Sequence, residues 1–308
     1  MVYALYSTFM LCPICHSSQV SYFATKSNYV FFRCIECKTI FLKKLPTAKD
    51  LHIYYKKNFS YSDGLINEKT IRNQAHLILK ALVRIAPKAK TLCDVGSGFG
   101  FFLDEARKDR YVTIGIEPSR KIAELALKKL GIISYVGSLE EYISLHKKQF
   151  DIVTCIHVIE HVQNPKQFIQ NLLKLVKSGG ILYLETPNSD SHLLYIEKGD
   201  YTFLIPPDHL WIFSIHSVLH FLSNKVELIK INTYSYPEHF MGIVKQAIKK
   251  TKSKTSSQKP NYSNILRPSS FKKKLSYILF DCIIAPLFTG ILNLYHKGSI
   301  LELYIRKK

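Results

Sequence analysis

The sequence predicts an α/β fold: a largely parallel sheet covered by helices on both faces, preceded by a small domain organised by metal. Three observations carry this. From residue 91 onward, strand-like and helix-like stretches alternate in short runs. The turn after the first of these strands is rich in glycine. Ahead of them stand two CxxC pairs, Cys12-Pro13-Ile14-Cys15 and Cys34-Ile35-Glu36-Cys37.

The elements follow in order. Between Asn67 and Ala86, Ile71, Ala75, Ile78, Leu79, Leu82, Val83 and Ala86 recur at helical spacing, and Pro87 stops the helix. Strands are expected at Thr91–Val95, Val112–Glu117, Ile133–Val136, Phe150–Ile156 and Gly180–Glu185. Helices are expected at Phe101–Lys108, Ser119–Leu130 and Pro165–Val176. After Gly242 the composition changes. Residues 245–274 hold ten Lys or Arg and no acid. Leu275–Tyr295 is apolar but broken by Asp281, Pro286 and Gly290, and Ile300–Ile305 reads as a last strand that makes the sheet mixed. The resulting division is 1–45 for the cysteine-bearing domain, 46–66 for a connector, 67–242 for the α/β domain, 243–299 for a basic and apolar insert, and 300–308 for the last strand.

Composition narrows the function classes. With 47% hydrophobic residues in 308, the chain can bury a core and is not a disordered one. A formal charge of +20 calls for an acidic partner: nucleic acid, a phosphorylated substrate or an anionic membrane surface. Residues 1–11 lack a basic start and a small-residue cleavage site, so no signal peptide is expected, and either Met1 or Met10 can begin the chain. Seven cysteines, four of them in paired CxxC spacing, fit metal ligation in a reducing, cytoplasmic compartment better than a disulfide framework. Cys12, Cys15, Cys34 and Cys37 can close an all-thiolate tetrahedral zinc site with no open position, which serves structure rather than catalysis.

The stretch Asp94-Val95-Gly96-Ser97-Gly98-Phe99-Gly100 follows a strand and opens a helix. Glycines let the backbone turn sharply and a ligand lie against it. The spacing is GxGxG, and a carboxylate two residues before the first glycine would repel a pyrophosphate; it suits a ligand with an ammonium group. Glu117, at the end of the second strand, can accept hydrogen bonds from two ribose hydroxyls. Gly137-Ser138-Leu139-Glu140 follows the third strand, where an adenine edge could be read.

At these residues the chain resembles the class I S-adenosylmethionine-dependent methyltransferases, in the broad subgroup related to ubiquinone-pathway and polysaccharide-cluster enzymes. Further anchors are Phe150 through Val162, with Asn164-Pro165, and Ser178-Gly179-Gly180 leading to Leu184-Glu185-Thr186-Pro187-Asn188. The resemblance covers about Asn67 to Phe213 and implies a Rossmann-like domain with S-adenosyl-L-methionine as cofactor. It implies that Asp94, Gly96, Ser97, Gly98 and Gly100 hold the methionine part, that Glu117 takes the ribose beside Pro118, that Ser138 and Leu139 flank the adenine, and that Cys155 and His157 lie beside the sulfonium. Similar cysteine knuckles precede methyltransferase domains in sugar-modifying enzymes, but the Pro-rich segment that follows them in deoxysugar C-methyltransferases is absent here. So is the Asn-Pro-Pro-aromatic text of enzymes that methylate base amines.

Methyl transfer to a hydroxyl needs a base near the acceptor. The candidates by position are His157, His161, whose alternative role is to brace the cofactor loop, and His209, in Pro207-Asp208-His209-Leu210-Trp211. His209 is equally readable as a packed loop residue. The expected acceptor is a saccharide or lipid-linked saccharide hydroxyl of cell-surface polysaccharide synthesis. The rivals are an RNA methyltransferase, with nucleic acid ranked behind the small molecule, and a non-catalytic cofactor-binding module. Lys272-Lys273-Lys274 beside an interrupted apolar run suggests that residues 271–295 dock on an anionic membrane surface, at its inner face.

Overall fold

The structure, a computed structural model, describes residues 10–47, 49–51, 54, 68–235, 290–291 and 293–308. The expected insert 243–299 therefore falls, up to residue 289 and at 292, outside the described residues. So do most of the connector 46–66 and most of the 271–295 docking segment. Among the described residues no helix is long and apolar enough to cross a membrane.

Two sheets form. The smaller holds β1 (Val20–Lys26), β2 (Tyr29–Cys34), β3 (Ile40–Leu42) and, from far along the chain, β9 (Trp211–Ile212), in that order and antiparallel throughout. The larger is a seven-stranded mixed sheet. Its strands, in chain order, are β4 (Thr91–Val95), β5 (Val112–Glu117), β6 (Ser134–Val136), β7 (Phe150–Ile156), β8 (Val176–Pro187), β10 (Val226–Tyr234) and β11 (Ile300–Lys307). In space the order is β10-β11-β8-β7-β4-β5-β6, with β11 antiparallel to both neighbours. This is the predicted mixed α/β sheet with its last strand where expected. β4 lies between β5 and β7, so the chain leaves it first in one direction and later in the other. That reversal opens a crevice at the carboxyl ends of β4 and β7, which is where open α/β sheets bind ligands.

The helices are α1 (Glu68–Ile85), α2 (Phe101–Lys108), α3 (Arg120–Leu130), α4 (Leu139–Leu145), α5 (Pro165–Leu175), α6 (His192–Glu197) and α7 (Ile215–Leu219). α1 turns Ala75, Ile78, Leu79 and Leu82 inward, and Arg72 reaches Asp104 and Glu105 of α2. α5 starts as its sequence dictates. The Asn164 side chain caps the Gln167 N–H, and Pro165, which has no N–H to lose, takes the first turn. β8 outruns its predicted span at both ends: Thr186 and Pro187 pair with β11, and Val176 pairs with Phe150 across a local irregularity that contains Gly179, at φ +76°. The small sheet is not a free-standing unit. Phe31, Phe41 and Ile40 share one core with Trp211, Phe213 and Leu210 of the large domain, and the Ser214 hydroxyl donates to the Cys37 carbonyl at 2.6 Å.

Candidate active site

The crevice is a cleft of about 1070 Å³ lined by loops that follow β4, β5, β6 and β7. Gly96, at φ +82°, turns the chain out of β4; a Cβ there would sit 2.3 Å from Val158 Cγ2, so only glycine fits. Glu117 anchors the opposite wall. Its two oxygens accept from the Gly98 and Ser119 N–H groups, each at 2.9 Å, which ties the glycine loop to the end of β5. Burial pushes its pKa up, and the two backbone donors oppose that. Ser138 caps α4 through a reciprocal bond pair with Glu141, which fixes Leu139 against the cleft.

Of the expected cofactor residues, Gly96, Gly98, Glu117, Pro118, Ser138 and Leu139 line the cleft. Asp94, Ser97, Gly100, Cys155 and His157 do not; they stand behind it. Asp94 is buried, accepts from the Thr154 hydroxyl at 2.6 Å, and is pushed up to about 7 by burial. Ser97 meets Ser134 at 3.1 Å, Gly100 backs onto Ile132, and Cys155 is fully buried. His157 lies between two buried carboxylates, Nδ1 at 3.2 Å from Glu160 and Nε2 at 3.1 Å from Glu185. Burial works against its charge, but the two glutamates outweigh burial and carry it up to about 10. It is therefore an imidazolium at neutral pH. The same network runs on through Tyr183, whose hydroxyl is 2.6 Å from Glu185 and 2.7 Å from Glu302.

Two of the three candidate bases, His161 and His209, come together. Their rings are 4.8 Å apart between centroids and nearly perpendicular. His161 lines the cleft, and its Nδ1 sits 3.0 Å from both the carboxylate and the carbonyl of Asp208. Burial pulls its pKa down, yet Asp208 prevails and raises it. His209 is not part of the lining. Its Nδ1 donates to the Phe203 carbonyl at 2.7 Å, and burial and the His161 charge hold it neutral, at about 4. Glu160, His161 and His209 also offer three potential metal-ligand atoms within 4.8 Å of one another. Asp208 escapes the sequence reading as a site residue, as do Tyr54, Val158, Gln163 and Phe168, which also line the cleft. The Asp208-His209 dipeptide was the available signal, but the Asp208 carboxylate meets His161 rather than its neighbour in the chain.

The four thiolate residues gather as predicted. Cys12 and Cys37 sulfurs are 3.6 Å apart, Cys15 and Cys34 sulfurs 3.5 Å, and all four lie within 4.8 Å. A tetrahedral ion with Zn–S bonds near 2.3 Å needs sulfurs roughly 3.8 Å apart, so the set fits zinc.

A family model described as "methyltransferase domain" matches residues 67–224, just over half of the chain. The chain is 30% identical over 166 residues to the mitochondrial ubiquinone biosynthesis O-methyltransferase of Dictyostelium discoideum, covering 48% of this chain and 49% of that protein. It is 33% identical over 126 residues to ubiquinone biosynthesis O-methyltransferase of Salmonella newport (strain SL254), covering 38% and 52%. The chain thus spans about half the length of the curated relatives it matches. Among solved structures, an S-adenosylmethionine-dependent methyltransferase from Archaeoglobus fulgidus superposes with a TM-score of 0.50 at 17% identity, over 81% of this chain and 100% of that one. That likeness establishes the fold.

Proposed function

The chain belongs to the methyltransferase-domain family, and we propose that it transfers a methyl group from S-adenosyl-L-methionine to a hydroxyl of a saccharide or lipid-linked saccharide. The observation that carries this reading is the His161–Asp208 pair on the wall of the cleft that also holds the glycine loop and Glu117. When bound, the cofactor supplies an electrophilic methyl on a sulfonium. The glycine loop and Glu117 hold it, with Ser138 and Leu139 at the adenine end. Asp208 fixes the tautomer of His161 by accepting its Nδ1 proton, which leaves Nε2 as the nitrogen that can take the acceptor's hydroxyl proton. His209, kept neutral and out of the cleft lining, is the packing partner of that pair.

Oxygen as the target is supported by the names of the ubiquinone-pathway relatives. An acidic acceptor is supported by the +20 charge. Cys12, Cys15, Cys34 and Cys37 we assign to structural zinc, which points to the cytoplasm as the working compartment. Docking of residues 271–295 on an anionic membrane would bring a lipid-linked acceptor to the cleft. The same charge keeps RNA as a second reading.

The test is a panel of saccharides, glycosyl phosphates and RNA offered with methyl-labelled cofactor and read by mass spectrometry. His161→Gln should cut the rate on the best acceptor by about 10²–10⁴ while leaving S-adenosylhomocysteine affinity unchanged. Full activity in that variant would remove His161 as the base.

A further inference from the structure

A second cavity, of about 410 Å³, opens where the small sheet meets the loop after β8. Arg33 of β2, Ser189 and Asp190 of the loop, Lys198 after α6, and Lys297 ahead of β11 converge on it, with Phe23 of β1 on one side. Cations outnumber acids. Asp190 is held by Arg33 at 3.6 Å and by Lys38 at 3.7 Å, whereas Lys198 and Lys297 pair with no carboxylate among the described residues.

Two details mark the cavity as a built site. The Ser189 hydroxyl is fully buried on its wall and has no hydrogen-bond partner, a condition that folded proteins rarely leave unanswered. Lys198 sits at φ +52°, ψ −122°, a backbone conformation that favours glycine and that side chains rarely adopt. The cavity also lies on the reactive side of the sheet. Its loop continues β8 beyond Pro187, just as the cleft's loop continues β7, the neighbouring strand.

We propose that this cavity binds a phosphoryl group esterified to the methyl acceptor, so that the substrate is a glycosyl phosphate or diphosphate. Lys198, Lys297 and Arg33 meet the phosphoryl oxygens, rotation of Ser189 about its Cα–Cβ bond turns its partnerless hydroxyl to donate to one of them, and Phe23 offers an apolar face to the sugar. The proposal rests on the methyl-transfer reading for the identity of the acceptor, but the binding site can be tested without turnover.

The experiment is calorimetry on the full chain with its zinc, titrating uridine diphosphate glucose, inorganic pyrophosphate and, separately, S-adenosylhomocysteine. Uridine diphosphate glucose should bind saturably and more tightly than pyrophosphate. The double variant Lys198→Gln, Lys297→Gln should weaken it by about tenfold or more. Ser189→Ala, which only removes a partnerless hydroxyl, should weaken it by about threefold and leave folding intact. S-adenosylhomocysteine affinity should not change in either. Failure of the wild type to bind uridine diphosphate glucose, equal binding by the variants, or equal affinity for pyrophosphate overturns the proposal. So does binding to phosphatidylglycerol vesicles that the double variant loses while uridine diphosphate glucose is ignored, since the cations would then serve a lipid surface. Loss of S-adenosylhomocysteine binding in the wild type would instead overturn the methyltransferase reading and leave the phosphoryl site standing.

Discussion

Replacing Glu117 with alanine should separate ligand binding from folding. Each carboxylate oxygen accepts one backbone N–H at 2.9 Å, and the group is 7% exposed at the cleft wall. Its remaining lone pairs are those that ribose hydroxyls would use if the cofactor binds as proposed. A hydrogen bond to a charged acceptor contributes about 1.5–3 kcal/mol, and two on one carboxylate are not additive. A loss of about 2–3 kcal/mol is therefore expected, roughly 30- to 140-fold in Kd. Folding should suffer less. Burial disfavours the charge that the substitution removes, and water entering from the cleft can serve the exposed N–H groups. The assay is calorimetry with S-adenosylhomocysteine, adenosine and 2′,3′-dideoxyadenosine, beside a thermal melt. The wild type should prefer adenosine to its dideoxy analogue, and Glu117→Ala should erase that preference with a melting temperature close to wild type. A wild type indifferent to the hydroxyls, or a variant that keeps the preference, refutes the ribose assignment.

Three further outcomes are expected. Purified protein should carry about one zinc per chain, and stripping it should lower the melting temperature of the whole molecule, because the small sheet and the large domain share one core; elemental analysis and calorimetric melts check both. Gly96→Ala should abolish S-adenosylhomocysteine binding at concentrations that saturate the wild type, since the added carbon meets Val158 and the backbone is at φ +82°; retained binding would mean the loop is not the cofactor cradle. Asp94 is raised from 3.8 to about 7 by burial, so the folded state holds a proton that the unfolded chain releases, and stability contributed below pH 3.8 is lost as pH rises through about 7. Asp94→Asn keeps the acceptor for Thr154 and should gain stability over wild type as melts move from pH 5 to 8; a constant offset would show that Asp94 is charged throughout.

The parts of the fold legible in sequence are those with chemical punctuation at their ends. Thr91–Val95 stops at the glycine turn, and Val112–Glu117 stops at Pro118, so both strands appear with the expected bounds. α4 announced itself through Ser138 and Glu141, a capping pair that marks a helix start, yet the stretch read only as an adenine contact. β10 was missed because the adjacent apolar pair Leu228-Ile229, at the irregularity in its pairing with β11, breaks the apolar–polar alternation, and most of its residues are half-buried. The site divides the same way. The glycine loop and Glu117 are local and were found. The His161–Asp208 pair joins residues 47 apart, a relation no local pattern encodes. Trp211–Ile212 is too short to carry any period at all, so its pairing with the cysteine-bearing sheet was invisible.

That two-residue strand also sets an order of events in synthesis. β3 leaves the ribosome early, but its partner Ile212 follows Ile40 by roughly 170 residues, a separation that makes the contact slow to form. Until then the cysteine-bearing sheet travels with one edge open, able to pair with any extended strand it meets. When Trp211 arrives, its indole N–H also donates to the Val162 carbonyl, beside His161, at 2.8 Å. A single late segment thus closes the amino-terminal sheet and clamps the loop that bears His161. A nascent chain halted before residue 211 has neither, so this wall of the cleft and the seal on the chain's oldest part arrive together.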